Sequence, residues 1–311
     1  MEWYHYLIIV IGVLLLCLFI IFPYVCYLLT FYIKNKKVKK SAVVTLPDDP
    51  LFNEFREEVI QDIIWTRSLP KQTFSIKSHD GLTLCGNYYE YEKDSPIEIM
   101  FHGYKGTGER DLSTGVRRAF ACKRSALVVD QRASGDSEGH TTTFGINERH
   151  DCVNWAKFVS QLYPNRKIIL TGISMGAATV MMASAMELPN NVIGILADCG
   201  YSKTSDIIKK VVAEMKLPVN LVYPFIKLGA KMFGHFNLEE TSPYDAVQKT
   251  NLPIIFYHGT IDEIVPHTMS EELYNVCSSS KKLVLVENAT HGISFLKDPD
   301  LYINALNEFF K

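Results

Sequence analysis

The feature that most constrains the fold is a five-residue stretch near the middle of the chain, Gly172-Ile173-Ser174-Met175-Gly176. An apolar, β-like run precedes it, and small residues typical of a helix start follow it. In that context, Gly-x-Ser-x-Gly predicts a strand-to-helix turn so tight that only residues without bulk can flank the serine. Short patterns also match by chance, but a random match rarely has a strand before it and a helix after it. The serine hydroxyl is therefore expected to project over the edge of a sheet.

Length, charge and cysteine usage exclude several classes of protein. The 311 residues, 47% of them apolar, suffice for one α/β domain of about 250 residues with a large core. The formal net charge of -2 creates no basic field, so nucleic acid is not an expected partner. The seven cysteines show no metal-ligand spacing, so neither a metal site nor a disulfide framework is predicted. Scattered thiols of this kind are typical of a reducing compartment.

Residues 1–40 are predicted to form a transmembrane anchor with a basic flank. Positions 6–33 carry no charged residue, and this run can cross a hydrocarbon core of about 30 Å as a helix. A cleavable signal peptide would instead have basic residues ahead of a shorter apolar run. Five lysines lie within positions 34–40 and none precedes the run, so the positive-inside rule keeps them in the cytoplasm. We therefore expect a single-pass membrane protein whose catalytic domain is cytoplasmic.

Residues 41–72 are interpreted as a linker followed by an amphipathic helix. Asp48-Asp49-Pro50 is a typical helix start, because aspartate caps a helix and proline fits its first turn. An apolar stripe then repeats every four residues, at Leu51, Phe55, Val59 and Ile63. The opposite face is acidic rather than basic, so packing on the domain is favoured over packing on lipid.

Residues 73–311 show the alternation of strands and helices that is typical of an α/β domain. All-apolar strands, such as the one at 192–197, are expected where helices cover both faces of a parallel sheet. The alternation breaks at 202–240, where two or three short helices with apolar faces are predicted. A crossover with an extra helix is one interpretation. The length of the segment favours a cap over the active site, because long insertions in compact domains are often lids.

Three residues suited to nucleophilic catalysis follow three different predicted strands. Ser174, Asp262 and His291 each lie just beyond a strand's carboxyl end, and parallel strands place those ends on one rim of the sheet. Serine becomes a nucleophile when an imidazole takes its proton, and a carboxylate then fixes the imidazole tautomer. Asp198, one strand earlier, is the alternative acid. The chain order favours His291 over His140, which lies before the elbow, and over His258 and His267, which lie in the wrong loop.

Two loops near these residues are given supporting roles. His102-Gly103 follows a predicted strand, where the loop can offer a backbone N–H to a developing oxyanion, and His102 itself is expected to be structural. Asp130 and Arg132 are interpreted as a charge pair that holds a glycine-rich loop, and neither is counted in the site.

Taken together, these motifs resemble those of the α/β-hydrolase superfamily, over residues 73–311. The sequence is most similar to membrane-anchored members that are serine-aminopeptidase-like or monoacylglycerol-lipase-like. The resemblance implies an eight-stranded, mostly parallel sheet with a small helical cap, and oxyanion donors from the backbone of Tyr104 and Met175. One departure is Ala133, where the family usually has glycine, and it falls in a structural loop. The motifs are His102-Gly103, Asp130-x-Arg132-x-x-Gly135-x-Ser137, Gly172-x-Ser174-x-Gly176, His258-Gly259-x-x-Asp262-x-x-Val265-Pro266 and Ala289-x-His291-Gly292.

These features predict a serine hydrolase that forms an acyl-enzyme on Ser174 and needs no cofactor or metal. A small-molecule ester or thioester, with a lipid as one candidate, is favoured over a peptide, because no acidic cluster near the motifs could bind a free amine. An aminopeptidase-like peptidase with the same triad, or a silent binding protein with this fold, are the alternatives. Six bulky apolar residues of the cap are expected to form a slot for an acyl chain above Ser174: Val222, Tyr223, Phe225, Ile226, Met232 and Phe233.

Overall fold

An eight-stranded sheet forms the centre of the protein in a computed structural model that describes residues 2–34, 44, 46 and 53–311. The strand order is β1-β2-β4-β3-β5-β6-β7-β8, and within the described residues β2 alone runs against its neighbours. The predicted eight-stranded, mostly parallel sheet is therefore confirmed. The strands are β1 (Gln72–Lys77), β2 (Thr83–Tyr89), β3 (Ile97–Phe101), β4 (Ser125–Asp130), β5 (Ile168–Ile173), β6 (Val192–Asp198), β7 (Ile254–Gly259) and β8 (Lys281–Val286).

Helices cover both faces of this sheet, which explains why its central strands are apolar throughout. In β3, Ile99 and Phe101 belong to the core on one face, whereas Met100, between them, belongs to the core on the other. The helices are α1 (Trp3–Leu16), a π-helical turn (Cys17–Ile21), α2 (Phe22–Thr30), α3 (Arg56–Ser68), α4 (Gly108–Ala121), α5 (Glu148–Leu162), α6 (Met175–Ala183), α7 (Thr204–Glu214), α8 (Val219–Phe233), α9 (Pro243–Val247), α10 (Thr268–Val276), α11 (Ser294–Lys297) and α12 (Pro299–Phe309).

A fully buried carboxylate interrupts the apolar pattern of β3. Glu98 accepts hydrogen bonds from Arg118 at 2.5 Å and from Arg124 at 2.9 Å, and the Thr171 hydroxyl donates a third at 3.0 Å. A charge can be buried in a sheet only when partners of this kind replace its water. The ion-pair cluster therefore joins β3 to α4 and to the start of β4.

The amino-terminal helix is long and apolar enough to cross a membrane. α1, the π-helical turn and α2 form one continuous helix, Trp3–Thr30, and every residue from 3 to 22 is exposed. Twenty residues at about 1.5 Å each span about 30 Å, the thickness of a hydrocarbon core. The π-helical turn lies directly before Pro23, whose missing N–H and bulky ring disturb the preceding helical hydrogen bonds.

The carboxyl-terminal part of this helix is packed on the rest of the protein. α2 lies against α8 so closely that a Cβ atom on Gly229 would lie 2.4 Å from the Pro23 carbonyl oxygen. The ring of Phe225 lies 5.0 Å from that of Phe22, and the ring of Phe233 lies 5.0 Å from that of Tyr24. The apolar face of the predicted cap therefore covers α2, the carboxyl-terminal part of the amino-terminal helix.

The predicted helix start at Asp48-Asp49-Pro50, together with Leu51, lies outside the described residues. Among those that are described, α3 begins at Arg56, and Val59 and Ile63 are buried as their spacing predicts. α3 packs beside α4 and extends the wall of the domain near Ser174.

Candidate active site

Ser174 lies on a sharp turn between β5 and α6, as its motif predicts. Its φ of 55° and ψ of -117° are strained for a residue with a side chain. The two glycines are required by close approaches. A Cβ atom on Gly172 would lie 2.1 Å from the Gly176 carbonyl oxygen, and one on Gly176 would lie 2.0 Å from that of Phe101. The turn therefore presents the serine at the start of a helix.

His291 and Asp262 form a hydrogen-bonded pair on the same rim of the sheet. His291 Nδ1 lies 2.7 Å from Asp262 Oδ2, and both side chains are buried. With Nδ1 donating to the carboxylate, the other ring nitrogen, Nε2, is left to accept a proton. His291 and Ser174 line the same cavity. The geometry thus brings the three predicted residues to one place.

The carboxylate of Asp262 is held by several donors. Ile264 and Val265 each donate a backbone N–H to Oδ1 at 2.9 Å, and His258 Nε2 lies 3.1 Å from Oδ2. Burial by itself would raise the pKa of Asp262, but the hydrogen bonds from His258 and His291 outweigh it and hold the pKa well below its usual range. The Asp262 carboxylate therefore stays ionised at neutral pH.

Asp198, the alternative acid, is engaged elsewhere. Its Oδ2 accepts a 2.9 Å hydrogen bond from the Tyr302 hydroxyl, and its Oδ1 accepts one of 3.3 Å from Ser294. Burial raises the pKa of this carboxyl above its ordinary value. Within the described residues, the side chain of Asp198 makes no hydrogen bond to His291. The geometry therefore favours Asp262 as the acid.

A residue that the sequence interpretation set aside, His258, has a positioning role. Its Nδ1 accepts a 2.6 Å hydrogen bond from Ser270, and its Nε2 donates to the Val265 carbonyl at 2.8 Å and towards Asp262. These contacts fix the loop that follows β7. The His-Gly-x-x-Asp spacing is the sequence signal that could have identified this role.

Cys199 is the other neighbour of the imidazole, with Sγ 4.0 Å from His291 Nε2. Cys199, Asp262 and His291 bring their ligand atoms within 4.8 Å of one another, a spacing that could suit a metal ion. The chemistry of the donors does not fit one, because burial raises the pKa of the Cys199 thiol well above its usual value. In addition, Asp262 and His291 are already hydrogen-bonded to each other.

The loop after β3 lies directly against the serine. A Cβ atom on Gly103 would lie 3.6 Å from Ser174 Cβ and 4.0 Å from its Oγ. Tyr104 follows Gly103, and Met175 is the first residue of α6, where backbone N–H groups have no partner within the helix. Both backbone amides that the resemblance implies as oxyanion donors therefore belong to segments that meet at Ser174.

His102 has the structural role predicted for it. Its Nδ1 donates to the Gly103 carbonyl at 2.8 Å, and its Nε2 accepts the Gln131 N–H at 3.0 Å. The imidazole therefore joins the loop after β3 to the loop after β4.

The expected pairing of Asp130 with Arg132 is wrong. Asp130 accepts hydrogen bonds from the backbone N–H groups of Gly108 at 2.9 Å and Asp136 at 3.0 Å. Arg132 instead binds Asp151 at 2.7 Å and Asp80 at 2.9 Å. β4 ends at Asp130 and the chain then turns, so Arg132 does not continue the strand and each side chain finds its partners on another element.

A cavity of about 380 Å³ opens beside Ser174 and His291. Its polar groups, on Gly103, Arg110, Asp111 and Thr114, lie together in the loop after β3 and in α4. Most of the remaining wall is apolar and comes from residues 55–59, the end of β5, the loop after β7 and residues 293–296. The apolar lining residues are Phe55, Val59, Ile173, Ile264, Ile293, Phe295 and Leu296.

The expectation that the cap would line this cavity is wrong. All six predicted residues lie in the described part of the chain, and none of them is among the lining residues. Tyr223, Phe225, Ile226 and Phe233 belong instead to the apolar cluster that encloses α2. The apolar face of α8 packs against α2, and α3 lines the cavity where the cap was expected.

Comparisons with known proteins agree with this geometry. A family model described as serine hydrolase (FSH1) matches residues 170–298, a stretch that contains Ser174, Asp262 and His291. The protein YqkD of Bacillus subtilis is 27% identical over 78% of this chain and 79% of its own. The membrane protein YNL320W of Saccharomyces cerevisiae is 26% identical over 56% of this chain and 57% of its own.

Among solved structures, the chain is similar to the esterase Pf2001 of Pyrococcus furiosus, with a TM-score of 0.60 and 21% identity. The superposition covers 80% of this chain and 94% of the esterase. That likeness shows the fold, and the family match adds the class of enzyme. The chain therefore has the α/β-hydrolase fold, and its match to the family model over residues 170–298 supports a serine hydrolase enzyme.

Proposed function

We propose that the protein is a membrane-anchored serine hydrolase that cleaves carboxylic esters or thioesters with an acyl chain. The observation that carries this proposal is the cavity of about 380 Å³, apolar over most of its wall, that reaches Ser174 and His291 at one end. Substrate pockets are typically apolar with a few polar groups that fix the reacting atoms.

The proposed mechanism uses Ser174, His291 and Asp262 as one unit. His291 takes the hydroxyl proton as Ser174 attacks the carbonyl carbon, and the ionised Asp262 stabilises the imidazolium through the 2.7 Å contact. The backbone N–H groups of Tyr104 and Met175 stabilise the oxyanion, each contributing about 3 kcal/mol to lowering the barrier. His291 then protonates the leaving group, and later activates the water that releases the acyl group from Ser174.

The charges around the cavity favour an ester or thioester over a peptide with a free amino terminus. Of the described residues that line the cavity, Asp111 is the acidic one. The free amino group of a peptide substrate would need a carboxylate of this kind to bind it. The charge of Asp111 is already used, because Oδ1 accepts a 2.6 Å hydrogen bond from Arg110 and Oδ2 accepts the Gly103 N–H at 3.3 Å. An aminopeptidase-like activity is therefore kept as an outcome of the test.

The membrane location rests on the exposed helix and on the lysines after it. Residues 3–22 form an apolar surface whose exposure to water is unfavourable in free energy. The length of this surface fits a bilayer. Five lysines at positions 34–40 against none before the helix favour a cytoplasmic catalytic domain. A similar yeast protein that is described as a membrane protein supports the location.

The test is fluorophosphonate labelling of the full-length protein, followed by a series of p-nitrophenyl esters from acetyl to decanoyl. We expect labelling on Ser174 and a kcat/KM that rises with chain length until the cavity is full. Labelling without any ester turnover, or faster release of amino-terminal residues from peptides than of any acyl group, would contradict the proposal.

A further inference from the structure

A patch of exposed apolar side chains surrounds the turn between α7 and α8. We define the cap patch as Val211, Met215, Leu217 and Leu221, whose exposed fractions are 45%, 62%, 42% and 61%. Lys209, Lys210 and Lys216 are interspersed with them. Large apolar residues that are exposed as a group, next to cations, are typical of a surface that meets something else.

The direction of α8 shows what this surface faces. Along α8, Phe225 meets Phe22, Gly229 meets Pro23 and Tyr27, and Phe233 meets Tyr24 and Tyr27. The contacts advance along both helices together, so α8 runs parallel to α2. Its amino-terminal end therefore points the same way as the exposed apolar span at residues 3–22.

In the direction of the amino-terminal end of α8, the cap patch lies beyond Phe22, where the exposed span meets the domain. Leu221 precedes Phe225 by four residues, or about 6 Å at 1.5 Å per residue, and the turn extends beyond it. Phe22, beside Phe225, is the last residue of the span before the buried Pro23. The turn thus projects beside the membrane helix, past the level at which that helix enters the domain.

We propose that the cap patch inserts into the lipid surface beside the membrane helix and forms a second membrane contact. The inference rests on the proposed anchoring of residues 3–22. An apolar edge with Lys216 beside it fits the boundary between headgroups and acyl chains, where leucine and methionine enter the chains and Lys216 reaches the phosphates. The adjoining span of this chain identifies the partner as a bilayer.

The loop after β7 lies between α7 and the cavity. Lys210 donates a 2.5 Å hydrogen bond to the carbonyl of Glu263, which fastens α7 to the loop that follows β7. In that loop Ile261 is 51% exposed and Ile264 is 47% exposed, and Ile264 lines the cavity beside Ser174. Ile261 and Ile264 therefore place exposed apolar side chains at the cavity, on a loop that is hydrogen-bonded to the helix that carries Val211.

The test places a tryptophan in the patch of the full-length protein. Leu217→Trp is made in a parent with Trp3→Phe, and both proteins are reconstituted in phosphatidylcholine vesicles with or without bromine on the acyl chains. The added fluorescence is expected to shift to shorter wavelength and to be quenched by the brominated lipid. Leu301→Trp is the matched control, because Leu301 is 41% exposed but lies on α12, beside β8, and its added fluorescence should not be quenched.

The outcomes separate this inference from the proposed function. Protein that fails to float with the vesicles would contradict the anchoring, and the cap-patch contact with it. Protein that floats and hydrolyses esters, but whose Leu217→Trp fluorescence is not quenched, would overturn the cap-patch contact alone. A blue shift without quenching, in particles with the mass of a dimer, would assign the patch to a second copy instead.

A second variant tests the same contact through activity. Met215→Glu with Leu217→Glu is expected to lower turnover of a long-chain ester in vesicles and to leave turnover of a soluble acetyl ester unchanged. Both positions are exposed, so the substitutions should leave the stability of the fold unchanged. Equal rates of the variant and the parent on the vesicle ester would overturn the proposal.

Discussion

The hydroxyl of Tyr104 donates a 2.6 Å hydrogen bond to the backbone carbonyl of Thr30, the last residue of α2. The Lys105 ammonium donates a 3.2 Å bond to the Leu29 carbonyl. Carbonyls at the end of a helix have no partner within it, so these side chains satisfy groups that would otherwise need water. The loop proposed to supply an oxyanion donor is therefore fastened to the carboxyl-terminal end of α2.

Tyr104→Phe tests whether this bond positions the loop. We expect kcat and kcat/KM to fall together by roughly fivefold, because a lost hydrogen bond of about 1 kcal/mol would act in the transition state. The matched control is Tyr27→Phe, which removes a 2.6 Å bond from α2 to the Thr141 hydroxyl, away from the loop. Equal losses in both variants would mean that helix docking in general, and not the loop, sets the rate.

Ser174→Ala and His291→Ala should each lower kcat by about 10⁴ to 10⁶, and the double variant should be no worse than either alone. Residues that act as one unit have losses that do not add, while the oxyanion donors preserve a residual rate. Ester hydrolysis by Ser174→Ala at the parental rate would contradict the mechanism.

The choice of acid is tested by two conservative substitutions. Asp262→Asn should reduce kcat by about 10⁴, since the amide cannot hold His291 in the required tautomer. Asp198→Asn should retain most of the activity, because that side chain binds Tyr302 and Ser294. The reverse order of the two rates would assign the acid to Asp198.

Chain-length preference should depend on α3 and α11, not on the cap. Each methylene buried in the cavity contributes about 0.8 kcal/mol, so kcat/KM should rise steadily towards octanoyl esters. Val59→Ala or Phe295→Ala should flatten that rise with little change in acetyl turnover, since both side chains line the cavity. Phe225→Ala, which contacts Phe22, is the control and should keep the parental preference. A flattened profile in the control alone would restore the cap as the acyl site.

This difference shows what the sequence can and cannot predict. The placement of Ser174, Asp262 and His291 at one rim was predictable, because each follows a strand whose end is defined by local patterns and parallel strands share one rim. The apolar face of α8 predicts only that the face is buried. The apolar pattern of α8 does not identify which element buries it, and in the structure that element is α2. Phe55 and Val59 reach the cavity from a segment more than 100 residues before the elbow, a contact that no local spacing encodes.

The orientation in the membrane is tested by reporter fusions to the full-length chain. With the lysines after the span in the cytoplasm, green fluorescent protein at the carboxyl terminus should fluoresce, and alkaline phosphatase there should be inactive. The protein should also resist extraction with carbonate. Active alkaline phosphatase would show the opposite orientation, and the lysines would then act only as an electrostatic anchor.

Glu98 should contribute to the acid sensitivity of the fold. Burial by itself would raise the pKa of Glu98, but Arg118 and Arg124 outweigh it and hold the pKa below its ordinary value of 4.5. Because the folded-state pKa is the lower one, the contribution of Glu98 to stability is complete above about pH 4.5 and is lost as the pH falls below it. Sequence reasoning missed this cluster, since one glutamate in an apolar strand does not reveal which cations surround it.

Glu98→Gln should destabilise the protein at pH 7 by about 3–5 kcal/mol, because it leaves two buried guanidinium groups without their anion. Thermal unfolding in detergent, followed by tryptophan fluorescence between pH 7 and pH 3, measures both the loss and its pH dependence. The variant should start from a lower Tm and lose less of it on acidification than the parent does. Glu308→Gln is the control, since Glu308 pairs with Lys282 at the surface and should leave the Tm unchanged. A Tm that falls as steeply with pH in Glu98→Gln as in the parent would assign the acid sensitivity to another carboxylate.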